Sequence, residues 1–205
     1  MKHAKRRGER GLTYQLRQVG LDRHHTLVIS DEMRIGLHSQ VRRRWCPVGL
    51  KLVQAHQLRF EWCWLVLGVD LVQFKLRWRW QTNLRKESML ETIQAWKQHE
   101  HGMDAVIWDN APSHKTKLIR AAIGADNGQV IFPPPYSPEL NPVERIFEYL
   151  RDQIEGELYS TIAAKISRVE HVLQSLANDT VALRQLAGWD WICDAVHALP
   201  LLNPP

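Results

Sequence analysis

Two aspartates in this chain of 205 residues come directly after short apolar runs. Asp31 follows Leu-Val-Ile-Ser at 27–30, and Asp109 follows Ala-Val-Ile-Trp at 105–108. Runs of this length and type predict buried β-strands. Mixed sheets place ligands and catalytic groups at strand ends that face a crevice. We therefore expect Asp31 and Asp109 to be neighbours in space.

A third acid, Glu144, lies near the start of a predicted helix that follows the proline-rich loop at 133–142. The apolar positions of this helix repeat at helical spacing, and Glu144 lies at the flank of their stripe. From there its carboxylate could reach the crevice of the two aspartates. Three converging carboxylates repel one another, so the arrangement persists only with cations. Oxygen-preferring Mg²⁺ or Mn²⁺ is the natural choice, which makes the three acids candidate metal ligands.

Each aspartate also has a structural interpretation. Asp31 could be a polar strand terminus, and Asp109 could belong to a turn formed with Asn-Ala-Pro-Ser at 110–113. Two other acids compete for the role of the first one, because Glu32 is adjacent to Asp31 and Asp70 also ends an apolar run. Spacing alone excludes neither of them.

Glu144 has a structural alternative of its own, which is a capping box at the start of the helix. Asn141 would be the N-cap, Pro142 the first helical residue and Glu144 the third. Capping would explain a glutamate at this position without any catalysis.

The pattern around these acids predicts a mixed α/β domain in which an antiparallel part precedes a parallel part. Three stretches with β-forming residues would make the antiparallel part, at 27–30, 35–45 and 61–69. Two short strands that alternate with helices would make the parallel part, at 105–108 and 130–132. This is the order of a ribonuclease H-like mixed sheet.

Helices are expected to flank these strands. Apolar residues at helical spacing predict them at about 85–99 and 115–123, after the proline-rich loop, and almost continuously from about 160. We therefore divide the chain into a basic N-terminal segment at 1–24, a catalytic domain at 25–156 and a helical C-terminal extension at 157–205, packed on the core or following it.

The charge balance favours a polyanionic partner. Lys and Arg number 27 against 22 Asp and Glu, which gives a formal net charge of +5. The basic residues cluster within 1–12 and at Arg42, Arg43 and Arg44. Both clusters could neutralise phosphates, although the first is equally typical of a solvated tail.

Three cysteines lie far apart, at Cys46, Cys63 and Cys193, without the paired spacing of a zinc site. They argue against structural zinc and against a disulfide framework. No apolar run reaches the roughly 18 residues that span a bilayer, and no signal-peptide segment follows the basic start. We expect a soluble protein of a reducing compartment, the cytoplasm.

Four segments around the acids carry a resemblance to a known family. They are Asp-Glu-Met-Arg-Ile-Gly-Leu at 31–37, Arg-Trp-Cys-Pro-Val-Gly at 44–49, Asp-Asn-Ala-Pro-Ser-His-Lys at 109–115 and Phe-Pro-Pro-Pro-Tyr-Ser-Pro-Glu-Leu-Asn-Pro-Val-Glu at 132–144. With 34 residues between Asp109 and Glu144, the chain resembles the DDE-type transposases of the mariner-like superfamily, most closely the insertion sequence 630 family. The resemblance runs from about 26 to 192, where Leu-Ala-Gly-Trp-Asp-Trp-Ile is similar to the family's closing helix. Met33 departs from the small hydroxyl residue often found at its position.

The resemblance implies the catalytic core of a DNA transposase in which Asp31, Asp109 and Glu144 are the catalytic metal ligands. They would hold two Mg²⁺ or Mn²⁺ ions, one activating water or a DNA 3′-hydroxyl and the other stabilising the leaving oxygen. The implied partner is DNA, both transposon ends and target, bound by a homodimer in a bacterial cytoplasm. His114 and Lys115 could touch substrate phosphate, but we expect His114 to be solvated and leave both out of the catalytic set.

Two other functions compete with an active transposase. An inactive or truncated remnant would act only as a non-specific DNA-binding protein, since only thirty residues precede Asp31 where relatives carry a helix-turn-helix region. A separate upstream helix-turn-helix polypeptide would then be a further partner, and the chain alone would bind DNA weakly. A ribonuclease H-like resolvase or integrase is the second alternative, and the proline block before Glu144 argues against it.

Overall fold

The computed structural model describes residues 14–16, 20–39, 45–51, 53–99, 102–124, 128–134 and 138–200. Within them one sheet contains β1 (Leu27–Gly36), β2 (Trp62–Asp70), β3 (Lys75–Gln81), β4 (Ala105–Ile107) and β5 (Gln129–Ile131). Their order across the sheet is β3-β2-β1-β4-β5. β1, β2 and β3 pair antiparallel, whereas β4 pairs parallel with β1 and β5 pairs parallel with β4. The predicted mixed sheet of three antiparallel and two parallel strands is confirmed.

The strands of the antiparallel part differ in position from the predicted ones. The predicted second strand at 35–45 is wrong, because β1 itself runs to Gly36, 37–39 and Trp45 are not in a strand, and 40–44 lie outside the described residues. The second and third strands are β2 and β3. The three predicted strands did not include β3, although its apolar residues alternate with the basic residues Lys75, Arg77 and Arg79, which is the pattern of a half-buried strand.

Helices cover both faces of the sheet, as predicted. They are α1 (Lys86–Lys97), α2 (Lys117–Gly124), α3 (Val143–Ile154), α4 (Ile162–Asn178), α5 (Thr180–Ala187) and α6 (Asp190–His197). Successive side chains of a strand point to opposite faces. Ile29 and Met33 of β1 therefore pack with α3 to α6, whereas Val28 of β1 and Val106 of β4 pack with α1 and α2.

The C-terminal helices belong to the same hydrophobic core as the sheet. Val169 and Leu173 of α4 and Ile192 of α6 are buried in the cluster that contains the β1 side chains. Glu170 of α4 also accepts hydrogen bonds from two indole N–H groups of β3. The helical extension therefore contacts the sheet, and its boundary at 157 stays a prediction.

Several sequence predictions fall outside the described residues. These are the basic cluster within 1–12, the three arginines at 42–44 and residues 135–137 of the proline-rich loop. Across the ranges that the structure does describe, none of the helices has the length and apolar character needed to cross a membrane.

Candidate functional site

Asp31 and Asp109 reach the same edge of the sheet from two neighbouring parallel strands. β1 and β4 pair as far as Ile29 and Ile107, and the same register continued puts Asp31 level with Asp109. β4 ends at Ile107, whereas β2 pairs with β1 up to Gly36. Asp31 is therefore inside β1 and not at its end, which corrects the sequence prediction. Asp31 lies just beyond the part of β1 that pairs with β4. Because β4 ends there while β2 continues to pair with β1, the β4 side of β1 is left open at Asp31, and this opening is the expected crevice.

Asn141 fastens the start of α3 to β1 beside Asp31. Its side-chain N–H group donates hydrogen bonds to Oδ2 of Asp31 (2.9 Å) and to the carbonyl of Ser30 (3.3 Å). Its side-chain oxygen accepts a hydrogen bond from the backbone N–H of Val143 (3.1 Å), the first residue of α3. One amide side chain therefore joins strand and helix, and it places Glu144 near Asp31.

The three acids are close enough for their charges to interact. Burial raises the pKa of Asp31 to about 7, and the charges of Glu32, Glu144 and Asp109 also raise it. A hydrogen bond from the backbone N–H of Glu32 (2.8 Å) opposes this rise. The structure thus brings together the two aspartates and the glutamate that the sequence analysis singled out.

Asp109 has a different environment from Asp31, because its carboxylate is paired. Its Oδ1 lies 2.7 Å from Nδ1 of His114 and accepts a hydrogen bond from the backbone N–H of Ala111 (3.0 Å). The bond with His114 lowers the pKa of Asp109, while burial opposes that effect in part. Asp109 is therefore ionised at neutral pH.

His114 is buried, which corrects the expectation that it is solvated. Its ring stacks on the indole of Trp108 with 3.9 Å between the ring centroids, and only 1% of its side chain is exposed. Its Nε2 lies 3.4 Å from Oε1 of Glu32. Burial alone would lower the pKa of His114, but its bonds with Asp109 and Glu32 outweigh burial and raise the pKa to about 9.

The two competing acids, Glu32 and Asp70, point away from the crevice. Side chains alternate along β1, so Glu32 lies on the face opposite Asp31, where it contacts Trp108. Asp70 is the last residue of β2, opposite Val28 of β1, and it is fully buried. Its Oδ1 accepts hydrogen bonds from two backbone N–H groups of the following turn. Asp31 is the acid that faces Glu144.

Only one of the two hydrogen bonds of the capping box proposed for Asn141 and Glu144 is present. Asn141 caps the helix through the backbone N–H of Val143, and α3 begins one residue later than predicted. Among the described residues, no hydrogen bond joins the Glu144 carboxylate to the backbone N–H of Asn141. Capping by itself therefore does not account for this glutamate.

The chemistry of the three acids suits a hard divalent cation. Within the described ranges, no three His, Cys, Asp or Glu side chains are gathered tightly enough to form a metal site in advance. Asp31 is held by Asn141 and Asp109 by His114. All three groups are carboxylates, and their mutual repulsion contributes to the raised pKa of Asp31. Binding of a cation would relieve that repulsion, so these residues fit a metal.

Comparison with known proteins points to one family. Residues 26–164, more than half of the chain, match the family model described as DDE superfamily endonuclease. The Tcb2 transposase, a transposable-element protein of Caenorhabditis briggsae, is 23% identical over an alignment of 162 residues that covers 73% of this chain. The aligned part spans 59% of the length of that relative.

Solved structures share the fold. The crystal structure of the Mos1 mariner paired end complex with Mn is similar with a TM-score of 0.66 at 14% identity, over 96% of this chain and 62% of that one. The catalytic domain of Mos1 mariner transposase gives 0.60 at 12% identity, over 97% of this chain and 94% of that one. The mixed sheet is therefore the ribonuclease H-like sheet of that catalytic domain. Because the family match runs through Asp31, Asp109 and Glu144, this chain belongs to the DDE superfamily endonucleases.

Proposed function

We propose that this chain is the catalytic domain of a DNA transposase, and that Asp31, Asp109 and Glu144 hold Mg²⁺ or Mn²⁺ for cutting and joining DNA strands. The observation that carries the proposal is the convergence of these acids from β1, β4 and α3 on one crevice. Family membership supports the same chemistry, and the motif at 132–144 supports a place in the insertion sequence 630 family. A remnant that only binds DNA would have no use for three mutually repelling acids.

Each residue of the crevice has a distinct part in this chemistry. Two bound ions would supply Lewis-acid activation of a water or a DNA 3′-hydroxyl and stabilise the leaving oxygen. Asp109 offers an ionised carboxylate at neutral pH, whereas Asp31 has to lose a proton before it can bind a cation fully. Asn141 keeps β1 and α3 in contact, so that Asp31 and Glu144 act on the same substrate atoms.

Basic side chains beside Asp109 support contact with DNA phosphates. Lys115, Lys117 and Arg120 are exposed on the turn and helix that follow Asp109. Lys115 and Arg120 also lie over the ring of Phe132, at 5.4 and 5.8 Å from its centroid. We infer that this surface binds the DNA backbone next to the crevice.

Lys115→Ala combined with Lys117→Ala should weaken DNA binding and make it less sensitive to salt. Each lost phosphate contact reduces the magnitude of the slope of log affinity against log salt concentration by about 0.9. The slope of the double variant should therefore be shallower than that of wild type by about 1.8. Titration of one duplex at several salt concentrations measures the slope. Arg184→Ala, at the opposite end of the sheet beside Phe74, is the control. An unchanged slope in the lysine variant would place the DNA elsewhere.

Exposed apolar side chains in the connection between β1 and β2 support self-association. Trp45, Val48, Val53 and Phe60 are largely exposed there. The similar Mos1 structure is a paired end complex, and a second copy of this chain would cover the apolar residues in such an assembly. We infer a homodimer on DNA, which sedimentation with and without a duplex would detect.

Nicking of supercoiled plasmid DNA by the purified chain tests the proposed function. We expect nicked circles with Mn²⁺ or Mg²⁺ and none with EDTA, because the acids act through bound cations. The nick should carry a 3′-hydroxyl that a DNA polymerase extends. Equal nicking in EDTA would contradict the proposal.

A further inference from the structure

Three side chains behind Asp109, on the face of the sheet opposite Asp31, form a buried polar group that we call the Glu32–His114 cluster. It consists of Glu32, Trp108 and His114. The side chain of His114 is 1% exposed and that of Glu32 is 7% exposed. Ionisable groups are rarely so buried unless they are paired, because an unpaired buried charge is costly. Apolar side chains in place of Glu32 and His114 would avoid that cost. The presence of two buried ionisable groups here therefore points to a role other than packing.

The contacts of the Glu32–His114 cluster form a chain that ends on Asp109. The indole N–H of Trp108 donates a hydrogen bond to Oε1 of Glu32 (2.7 Å), and the same oxygen lies 3.4 Å from Nε2 of His114. On its other side, Nδ1 of His114 lies 2.7 Å from Oδ1 of Asp109. Stacking on Trp108 and the contacts of both ring nitrogens hold the imidazole so that Nδ1 faces Asp109, with Oδ1 as its nearest acceptor and the backbone carbonyl oxygen of Asp109 further away at 3.4 Å.

At Asp109 the two carboxylate oxygens have different surroundings. Oδ1 receives the Nδ1–H of His114 and the backbone N–H of Ala111, at 2.7 and 3.0 Å. In the part of the chain that the structure describes, no hydrogen bond reaches Oδ2. The Asp109 side chain is 53% exposed, so packing contributes little to its orientation. The two donors to Oδ1 therefore set its direction.

We propose that His114, held in place by Glu32 and Trp108, is a positioning residue that keeps Oδ1 of Asp109 occupied and presents Oδ2 to the divalent cation. The inference rests on the proposed function, since it requires a metal ion at Asp109. Hydrogen bonds from buried groups orient metal ligands, and losing one typically lowers metal affinity 10- to 100-fold. Glu32, next to Asp31 in the chain, would then support the second aspartate from behind the sheet.

Calorimetric titration of the full chain with Mn²⁺, without DNA, tests this proposal. His114→Ala should raise the Mn²⁺ dissociation constant about 10- to 100-fold. His114→Asn should recover part of the affinity, because an amide N–H can take the place of Nδ1–H. Glu32→Gln keeps the size of the side chain but loses its charge, and should raise the constant by a smaller factor. A thermal melt shows whether each variant is folded.

Thr92→Val is the matched control, because it removes two buried hydrogen bonds, one to the carbonyl of Ser88 and one from Gln81, and leaves the acids untouched. It should lower the melting temperature without changing Mn²⁺ affinity. If folded His114→Ala binds Mn²⁺ within about twofold of wild type, well short of the expected loss, the proposal is wrong. If His114→Ala does not fold, wild-type affinity in Glu32→Gln overturns it. If Asp109→Asn itself binds Mn²⁺ as well as wild type, the proposed metal site fails, and not only this inference.

Discussion

Asp31→Asn, Asp109→Asn and Glu144→Gln should each lower metal-dependent DNA nicking by at least about 10³-fold, which corresponds to about 4 kcal/mol of transition-state stabilisation. Each change removes one negative charge and one potential ligand oxygen, and keeps the size of the side chain. Because the three carboxylates act as a unit, the triple variant should be no slower than the slowest single variant. Initial rates of plasmid nicking in Mn²⁺ measure the effect.

Two acids outside the crevice provide the controls for these substitutions. Glu148→Gln removes an exposed carboxylate from the same helix as Glu144, where Glu148 pairs with Arg145 (3.0 Å). Asp70→Asn changes the buried acid at the far end of β2. Both variants should keep a nicking rate close to that of wild type. Loss of nicking in Asp70→Asn together with full activity in Asp31→Asn would show that the first acid is misassigned.

Asp31→Asn should also make the metal-free protein more stable at neutral pH, although it inactivates the protein. Burial and the neighbouring acids raise the pKa of Asp31 from 3.8 to about 7 in the folded state. Folding then favours the protonated carboxyl, so the stability that it contributes is full below about pH 4 and is lost as the pH rises to about 7. Asparagine does not ionise, so the variant does not suffer this loss.

The expected gain in unfolding free energy is on the order of 1–2 kcal/mol at pH 8 in EDTA, and below about pH 4 it should turn into a loss on the order of 2–3 kcal/mol, because wild-type Asp31 is then protonated. The raised pKa alone would give about 4 kcal/mol. Asparagine, however, has one accepting oxygen for the two hydrogen bonds that Asp31 receives from Glu32 and Asn141, and this offsets part of the gain. Denaturant unfolding at several pH values measures the difference.

Adding Mn²⁺ should reverse the order of stability, because wild type keeps the full set of ligands and gains more from binding the ion. The Asp31→Asn variant would then be the less stable protein at pH 8. A wild type that is already more stable than the variant at pH 8 in EDTA would contradict the description of Asp31 as one of three mutually repelling acids.

The local sequence was sufficient to predict those strands and helices whose own apolar pattern indicates which of their faces are buried. β4 is predictable because a strand between two parallel neighbours is apolar on both faces, as Ala105–Ile107 is. α3 is predictable because its buried residues, from Val143 to Ile154, repeat at helical spacing. Asp109 and Glu144 adjoin these elements, so the sequence could place both of them.

Contacts between distant segments determined what the sequence could not predict. Two acids in succession are typical of a strand end, but β2 supplies pairing partners as far as Gly36, so β1 continues through Asp31. The burial of His114 depends on Trp108 from the end of β4 and on Glu32 from β1. No local pattern around His114 contains that information. The alternation of side chains along β1 was the one available signal, since it directs Glu32 to the opposite face.

The most direct test of the three acids as a metal site is a Mn²⁺-soaked crystal of the chain with anomalous data collected near the manganese absorption edge. We predict an anomalous peak bounded by the carboxylates of Asp31, Asp109 and Glu144, and no such peak in crystals of Asp109→Asn treated in the same way. Manganese bound only at other residues, or a peak in the crevice that persists in Asp109→Asn, would contradict the assignment of these acids as the metal ligands.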